Sequence, residues 1–324
     1  MSAAPSQFDP VIARLLKVFE ASRERPFDVA NIAQIRERFS GNARDRTVDP
    51  SVSVEDVRVN GVPVRLYRPK SDGPLPLHVH YHGGGFVLGS ALSGEADGLL
   101  SRRAAGAGCV VSSVEYRLAP EHPFPAGIED SYAALIGLAE RAGDMRFAAN
   151  AISIGGISSG GNFAAVVAQR VRERGGPKLA LQLLEIAGTD LTKSSAAWRT
   201  FRPGHDTTRE RDLALCDLYV RRESRAHPMA SPLFALDLTG LAPTYVMNAE
   251  FDPRRDECEA YVVRLRDAGV PALARMMPGH VHGSMSMTGW PPADAWQAEA
   301  ICAIRLAHEC SLAGKPFDPE LVSK

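Results

Sequence analysis

Ser158 stands at the centre of Gly156-Ile157-Ser158-Ser159-Gly160, the one G-x-S-x-G frame in a glycine-crowded stretch. Ala151 to Ile154, just before it, has the apolar character of a buried strand, and Asn162 to Arg170, just after it, reads as a helix. A serine on so sharp a strand-to-helix turn has its hydroxyl pushed out of the sheet edge. Glycines surround it because a Cβ would collide with the neighbouring strand and helix. The helix also aims free N–H groups and the positive end of its dipole at any negative charge forming beside Ser158. An ordinary Gly/Ser-rich connection would look the same in isolation, so other residues must decide.

A serine hydroxyl is a weak nucleophile until a base takes its proton, and the base needs a third group to orient it. His282, in the loop Gly279-His280-Val281-His282-Gly283, is the candidate base, and Asp252, just past a strand over 243–249, is the candidate orienting acid. Asp256 and Glu257 compete with Asp252, but they fall inside a helix starting near Arg255 and are expected to hold neighbouring loops by charge-assisted hydrogen bonds. His280 competes with His282, and the His-Gly pairing favours His282. Gly83, Gly84 and Gly85 follow His82 at another strand end, where bare backbone lets N–H groups approach a substrate carbonyl. With the N–H of Ser159 they are expected to form an oxyanion hole, in which one donor is worth about a hundredfold or more in rate. A phosphate cradle would also use glycines, but no Lys-Ser/Thr pair follows. His82 is expected to fix the glycine loop, and Glu121 and His122 to steady theirs.

The elements that must carry these groups can be read in order. Residues 9–40 hold two amphipathic helices: Val11, Leu15, Leu16 and Phe19 share one face, and Ile32, Ile35 and Phe39 mark the second helix after Pro26. Alternating runs 52–58 and 63–68 flank Asn60-Gly61, a hairpin signal. Strands follow over 77–81, 109–114, 151–154, 179–186, 243–249 and 271–277, with helices over 127–142, 162–170, 255–268 and 292–312. Residues 194–231 are mixed, with two helical patches. Strands alternating with helices after an opening hairpin imply an α/β fold, with a mostly parallel sheet covered on both faces. In such a sheet the strand ends carrying Ser158, Asp252 and His282 open on the same edge.

Composition narrows the class. The 324 residues are 45% hydrophobic and 23% charged with a net charge of −1, and no basic run points to nucleic acid or an anionic membrane. No repeat or long linker divides the chain, so one domain over 1–324 is expected. The five cysteines are odd in number and lack C-x-x-C spacing, which speaks against a disulfide framework or zinc knuckle and for a reducing compartment. The start lacks a basic, then apolar leader, and no stretch approaches eighteen apolar residues, so a cytoplasmic protein is expected.

His82 to Phe86, Tyr116 to Ala126, Gly156 to Asn162, Ala230 to Leu233, Asp252 to Glu257 and His282-Gly283, in that order, resemble the motif set of the bacterial hormone-sensitive-lipase-like esterases. The chain order Ser, Asp, His is that of α/β-hydrolases. The resemblance implies an α/β-hydrolase core with a helical cap from residues 1–45 and roughly 195–228. It also implies a serine carboxylesterase using Ser158, Asp252 and His282 on short- to medium-chain esters, with no cofactor or metal. Similar esterases are often dimers, which leaves room for a homodimer. Several residues depart from the pattern. Ile157 and Ser159 replace Asp and Ala at the elbow, Ser284 replaces Phe and opens space, and Glu185-Ile186-Ala187 replaces an aromatic-Pro pair.

Two other classes compete. His78, His80 and His82 alternate along a strand, so a metal-dependent hydrolase is geometrically conceivable, although no carboxylate follows at ligand spacing. A small-molecule-binding protein that has lost catalysis would share the fold, but retention of Ser158, Asp252, His282 and the glycine loop speaks against it.

Overall fold

Asn60 and Gly61, at φ 48° and 82°, form the tight turn that joins β1 (Val52–Val59) to β2 (Val62–Pro69), as the Asn-Gly signal predicts. A computed structural model describes residues 8–23, 31–41, 47–200, 208–287 and 289–323; the Phe19 side chain, and residues 1–7, 24–30, 42–45 and 201–207 of the cap segments expected above, lie outside what it describes. Six more strands follow: β3 (Leu75–Tyr81), β4 (Val110–Val114), β5 (Phe147–Ile157), β6 (Leu179–Glu185), β7 (Thr244–Ala249) and β8 (Ala272–Met277). They form one sheet in the order β1-β2-β4-β3-β5-β6-β7-β8, antiparallel for the first two pairings and parallel thereafter.

The helices are α1 (Pro10–Arg23), α2 (Ile32–Gly41), α3 (Asp97–Ala107), α4 (Ala126–Glu140), α5 (Ser159–Glu173), α6 (Ala197–Thr200), α7 (Arg209–Tyr219), α8 (Arg255–Asp267) and α9 (Pro291–Leu312). Helices α4, α5 and α8 pack on one face of the sheet against Leu77, Val79, Ile152 and Ile154. Helices α3 and α9 cover the other through Leu100, Trp296 and Ile304 against Val111, Leu183 and Met247. With both faces covered, β6 and β7 are buried along their whole length, which is why they read as apolar runs and not as alternation.

Helix α3 has no counterpart in the sequence reading. Its segment, Asp-Gly-Leu-Leu-Ser-Arg-Arg-Ala-Ala-Gly-Ala, carries two glycines and puts Arg103 on the buried face, which erases the apolar period.

The N-terminal helices reach the edge where the parallel strands end. Ile12 and Leu16 of α1 pack on Val281, Trp290 and Ala293, and the Phe8 ring meets Phe251 edge-on at 4.8 Å. Val281 and Phe251 immediately precede His282 and Asp252, so α1 braces both loops. From α2, the Arg36 guanidinium donates to the Val87 and Ala119 carbonyls, each at 2.9 Å, and pairs with Glu121. Glu121 thus steadies its loop through α2.

Candidate active site

The turn between β5 and α5 holds Ser158 at φ 58°, ψ −116°, a conformation that a residue with a side chain rarely adopts and that costs on the order of 1–3 kcal/mol. Its surroundings impose it. The Ser158 N–H donates to the Glu185 carbonyl at 2.8 Å, and its own carbonyl accepts from Asn162 and Gly188. A Cβ on Gly160 would sit 2.0 Å from the Tyr81 carbonyl oxygen, so only glycine lets α5 start this close to β3.

Three strand ends converge here. His282 Nε2 lies 3.1 Å from Ser158 Oγ, and His282 Nδ1 lies 2.6 Å from Asp252 Oδ2. The carboxylate accepts a hydrogen bond from Nδ1–H, which leaves Nε2 as the acceptor for the serine hydroxyl. Burial alone would push the Asp252 carboxyl up. The facing His282 and Arg254 outweigh it and hold the group below the ordinary carboxylate value. Asp252 is therefore charged and able to stabilise an imidazolium.

The competing assignments are separated by the same geometry. Asp256 accepts from the Ala197 N–H at 2.9 Å and Glu257 from Trp198 Nε1 at 2.9 Å, so both tie the 190–200 segment to α8. His280 pairs with Ser284 Oγ at 2.8 Å and lies among Trp290 and Trp296. Ser284 is buried, and its hydroxyl also reaches the Val281 carbonyl at 2.9 Å. It therefore locks the histidine loop where the sequence led one to expect open space.

A Cβ on Gly83 would lie 3.5 Å from Ser158 Cβ, which puts the glycine loop alongside the hydroxyl. Gly84, at φ 133°, would drive a Cβ to 2.0 Å from the Leu88 carbonyl oxygen. Among the described hydrogen bonds none leaves the N–H of Gly84, Gly85 or Ser159. The His82 ring stacks on Tyr116 at 4.1 Å, its Nδ1 lies 2.9 Å from the Gly83 carbonyl, and the Tyr116 hydroxyl donates to the His82 carbonyl at 2.6 Å. That arrangement holds the loop's first peptides in place.

The histidine strand serves packing. His82 lies beyond the end of β3, while His78 and His80 are buried within the sheet, and burial drives both well below the ordinary imidazole value. His78 Nδ1 and His308 Nε2 meet Ser153 Oγ, each at 2.8 Å. This second serine–histidine cluster is sealed from solvent and offers no route to a substrate. Among the described residues no group of three or more His, Cys, Asp or Glu side chains could hold a metal ion.

Sequence reasoning passed over one part of the site. Lys193, Asp212 and Arg254 line the cavity at Ser158, together with Gly85, Phe86 and Ser159. No periodicity announces them, and charged residues in irregular segments read as surface.

A family model described as alpha/beta hydrolase fold matches residues 78–286. The carboxylic ester hydrolase LipN of Mycobacterium tuberculosis is 40% identical over 73% of this chain; the chain spans 65% of that protein's length. The carboxylesterase NlhH of the same organism is 36% identical over 91% of this chain and 94% of its own. The solved structure of a hyperthermophilic esterase from Pyrobaculum calidifontis superposes with a TM-score of 0.85 at 32% identity, covering 92% of this chain and 98% of that one. The chain belongs to the α/β-hydrolase family, among its hormone-sensitive-lipase-like carboxylic-ester hydrolases.

Proposed function

We propose that Ser158 is the nucleophile of a serine carboxylesterase, with His282 as general base and acid and Asp252 as the orienting carboxylate. The observation that carries this reading is the continuous relay of 3.1 Å and 2.6 Å contacts from Ser158 through His282 to Asp252. As Ser158 Oγ attacks the ester carbonyl carbon, Nε2 of His282 takes the hydroxyl proton. The carbonyl π pair moves to oxygen, and main-chain N–H groups of Gly83, Gly84, Gly85 and Ser159 receive the charge. Collapse breaks the bond to the alkoxy group, which leaves with the proton from His282. Water, deprotonated by the same imidazole, then releases the acid and restores Ser158.

The chain acts as one domain, with residues 1–45 and roughly 195–228 as its cap. The lining of the cavity by Asp212, Leu215 and Cys216 of α7 supports that role. Short- to medium-chain small-molecule esters are the proposed substrates. No described helix is long and apolar enough to cross a membrane; the cytoplasm is the proposed location, and a homodimer the proposed assembly. The test is hydrolysis of p-nitrophenyl butyrate, with activity lost in Ser158→Ala, lost to an organophosphate that labels Ser158, and retained in EDTA. Activity lost to the chelator and kept by Ser158→Ala would overturn the assignment.

A further inference from the structure

Two buried cations, Lys193 and Arg254, share a cavity with the Ser158 hydroxyl. Burial opposes both charges, but Asp212 and the other facing carboxylates outweigh it and raise both groups above their ordinary values. Asp212 bridges the two: Oδ2 lies 2.9 Å from Lys193 Nζ, and Oδ1 accepts from Arg254 Nη2. Trp198 lies under both, 4.9 Å from the ammonium and 5.2 Å from the guanidinium.

The remaining carboxylates are already engaged. Asp252, 3.6 Å from Arg254 Nη1, accepts from His282 and from the Arg254 N–H. Glu257, 3.7 Å from Lys193, accepts from Trp198 and the Asp190 N–H, and burial pushes its carboxyl up to about 7, so it is only partly charged at neutral pH. Asp190 itself accepts from Thr192 and Ser194. Asp212 is thus the one carboxylate that contacts both cations, and it is supplied by α7.

Helix α7 also lines the cavity, through Asp212, Leu215 and Cys216. Its far end is anchored by Tyr219, which stacks on Phe86 at 4.0 Å, whereas Asp212 lies in its first turn. Displacing Asp212 takes a carboxylate from two buried cations, which is unfavourable unless another anion takes its place.

We propose that the preferred substrate is an ester carrying a carboxylate a few bonds from its carbonyl, and that this carboxylate takes the place of Asp212 between Lys193 and Arg254. The reach is right. Arg254 Nη1 lies 3.2 Å from His282 Nδ1, one imidazole width from the atom that contacts Ser158. Since Nδ1–H donates to Asp252, that contact is a juxtaposition, and the Nη2 group now held by Asp212 is the one that would turn to the substrate anion. The inference rests on the role given to Ser158 and names the substrate class of that same site.

Mono-p-nitrophenyl glutarate and p-nitrophenyl valerate, matched in length and leaving group, provide the test. We expect kcat/KM at least tenfold higher for the glutarate ester, a ratio that falls toward one in Arg254→Met and rises in Asp212→Asn. Should either variant fail to fold, free glutarate is expected to inhibit wild-type valerate-ester hydrolysis competitively, with a Ki at least tenfold below that of glutaramide. A wild-type ratio at or below one, or glutarate no better than glutaramide, overturns the proposal. If valerate-ester turnover is then still lost in Ser158→Ala, the esterase reading stands alone. If neither ester is turned over, both readings fall.

Discussion

Ser158 and Glu185 are tied directly: the backbone N–H of the serine donates to the carbonyl of the glutamate at 2.8 Å, across the end of β6. The Glu185 side chain points to the opposite face of the sheet, where Arg103 meets it with two hydrogen bonds at 2.6 and 2.7 Å and Trp296 Nε1 adds a third at 2.7 Å. Neither charged side chain is exposed to solvent. The departure Glu185-Ile186-Ala187 therefore has a structural partner 82 residues earlier in the chain.

Removing one half of that pair leaves a buried charge with no counter-ion, which typically costs about 3–5 kcal/mol. Arg103→Met is expected to lose that much in urea denaturation and to lower kcat as the strand end under Ser158 shifts. The double variant Arg103→Met/Glu185→Leu should recover most of the stability. A single variant as stable as wild type would show that the pair is dispensable.

Gly160→Ala forces a Cβ to within 2.0 Å of a β3 carbonyl oxygen that no rotamer change can move away. A loss of about 3 kcal/mol or more is expected, read from the thermal midpoint or from soluble yield. Gly84→Ala combines a similar overlap with a positive φ, on a loop at the surface of the site. Its main effect is expected on kcat, roughly a hundredfold, with KM changed far less.

Asp252→Asn should cut kcat on the order of 10³–10⁴-fold, because an amide cannot hold the tautomer in which Nε2 accepts the serine proton. Glu257→Gln keeps the acceptor for Trp198 and should change kcat less than tenfold. Steady-state rates on p-nitrophenyl butyrate decide between them; equal losses would return the acid assignment to an open question.

Stability should fall in mild acid. His78, His80 and His308 are held neutral by burial, His308 down to about 3, whereas the unfolded chain binds those protons near pH 6.5. Their contribution is present above pH 6.5 and lost as the pH drops. Glu257, pushed up to about 7, runs the other way: the folded state keeps a proton that the unfolded state releases above about 4.5. Three groups against one, with His280 also held below its ordinary value by burial, leave a net loss of stability as the pH falls from 6 to 5. Urea titrations at the two pH values measure it, and His308→Gln should reduce it by about 1.4 kcal/mol per unit. A flat profile would refute the argument.

The turns that carry Ser158, Asp252 and His282 were legible because each follows an apolar strand and holds residues suited to a sharp turn. The parallel order of the sheet then places such turns on one edge. The hairpin at Asn60-Gly61 and the buried strands β6 and β7 were legible for the same local reasons. Helix α3 was not, because Arg103 occupies a core position, and Glu185 and Gln297, both distant in sequence, make that burial tolerable. A metal site on His78 and His80 was conceivable because alternation defines a face of a strand but says nothing of what packs on it; Ser153 engages His78, and both rings are buried in the sheet. Lys193, Asp212 and Arg254 belong to three separate segments, and no local pattern encodes an ion pair between them. Local sequence determined where the chain could turn, pair and present a reactive group. Which charges were buried together beside that group was decided only by long-range packing, because a charge is tolerated in the interior through its partner and not through its neighbours in sequence.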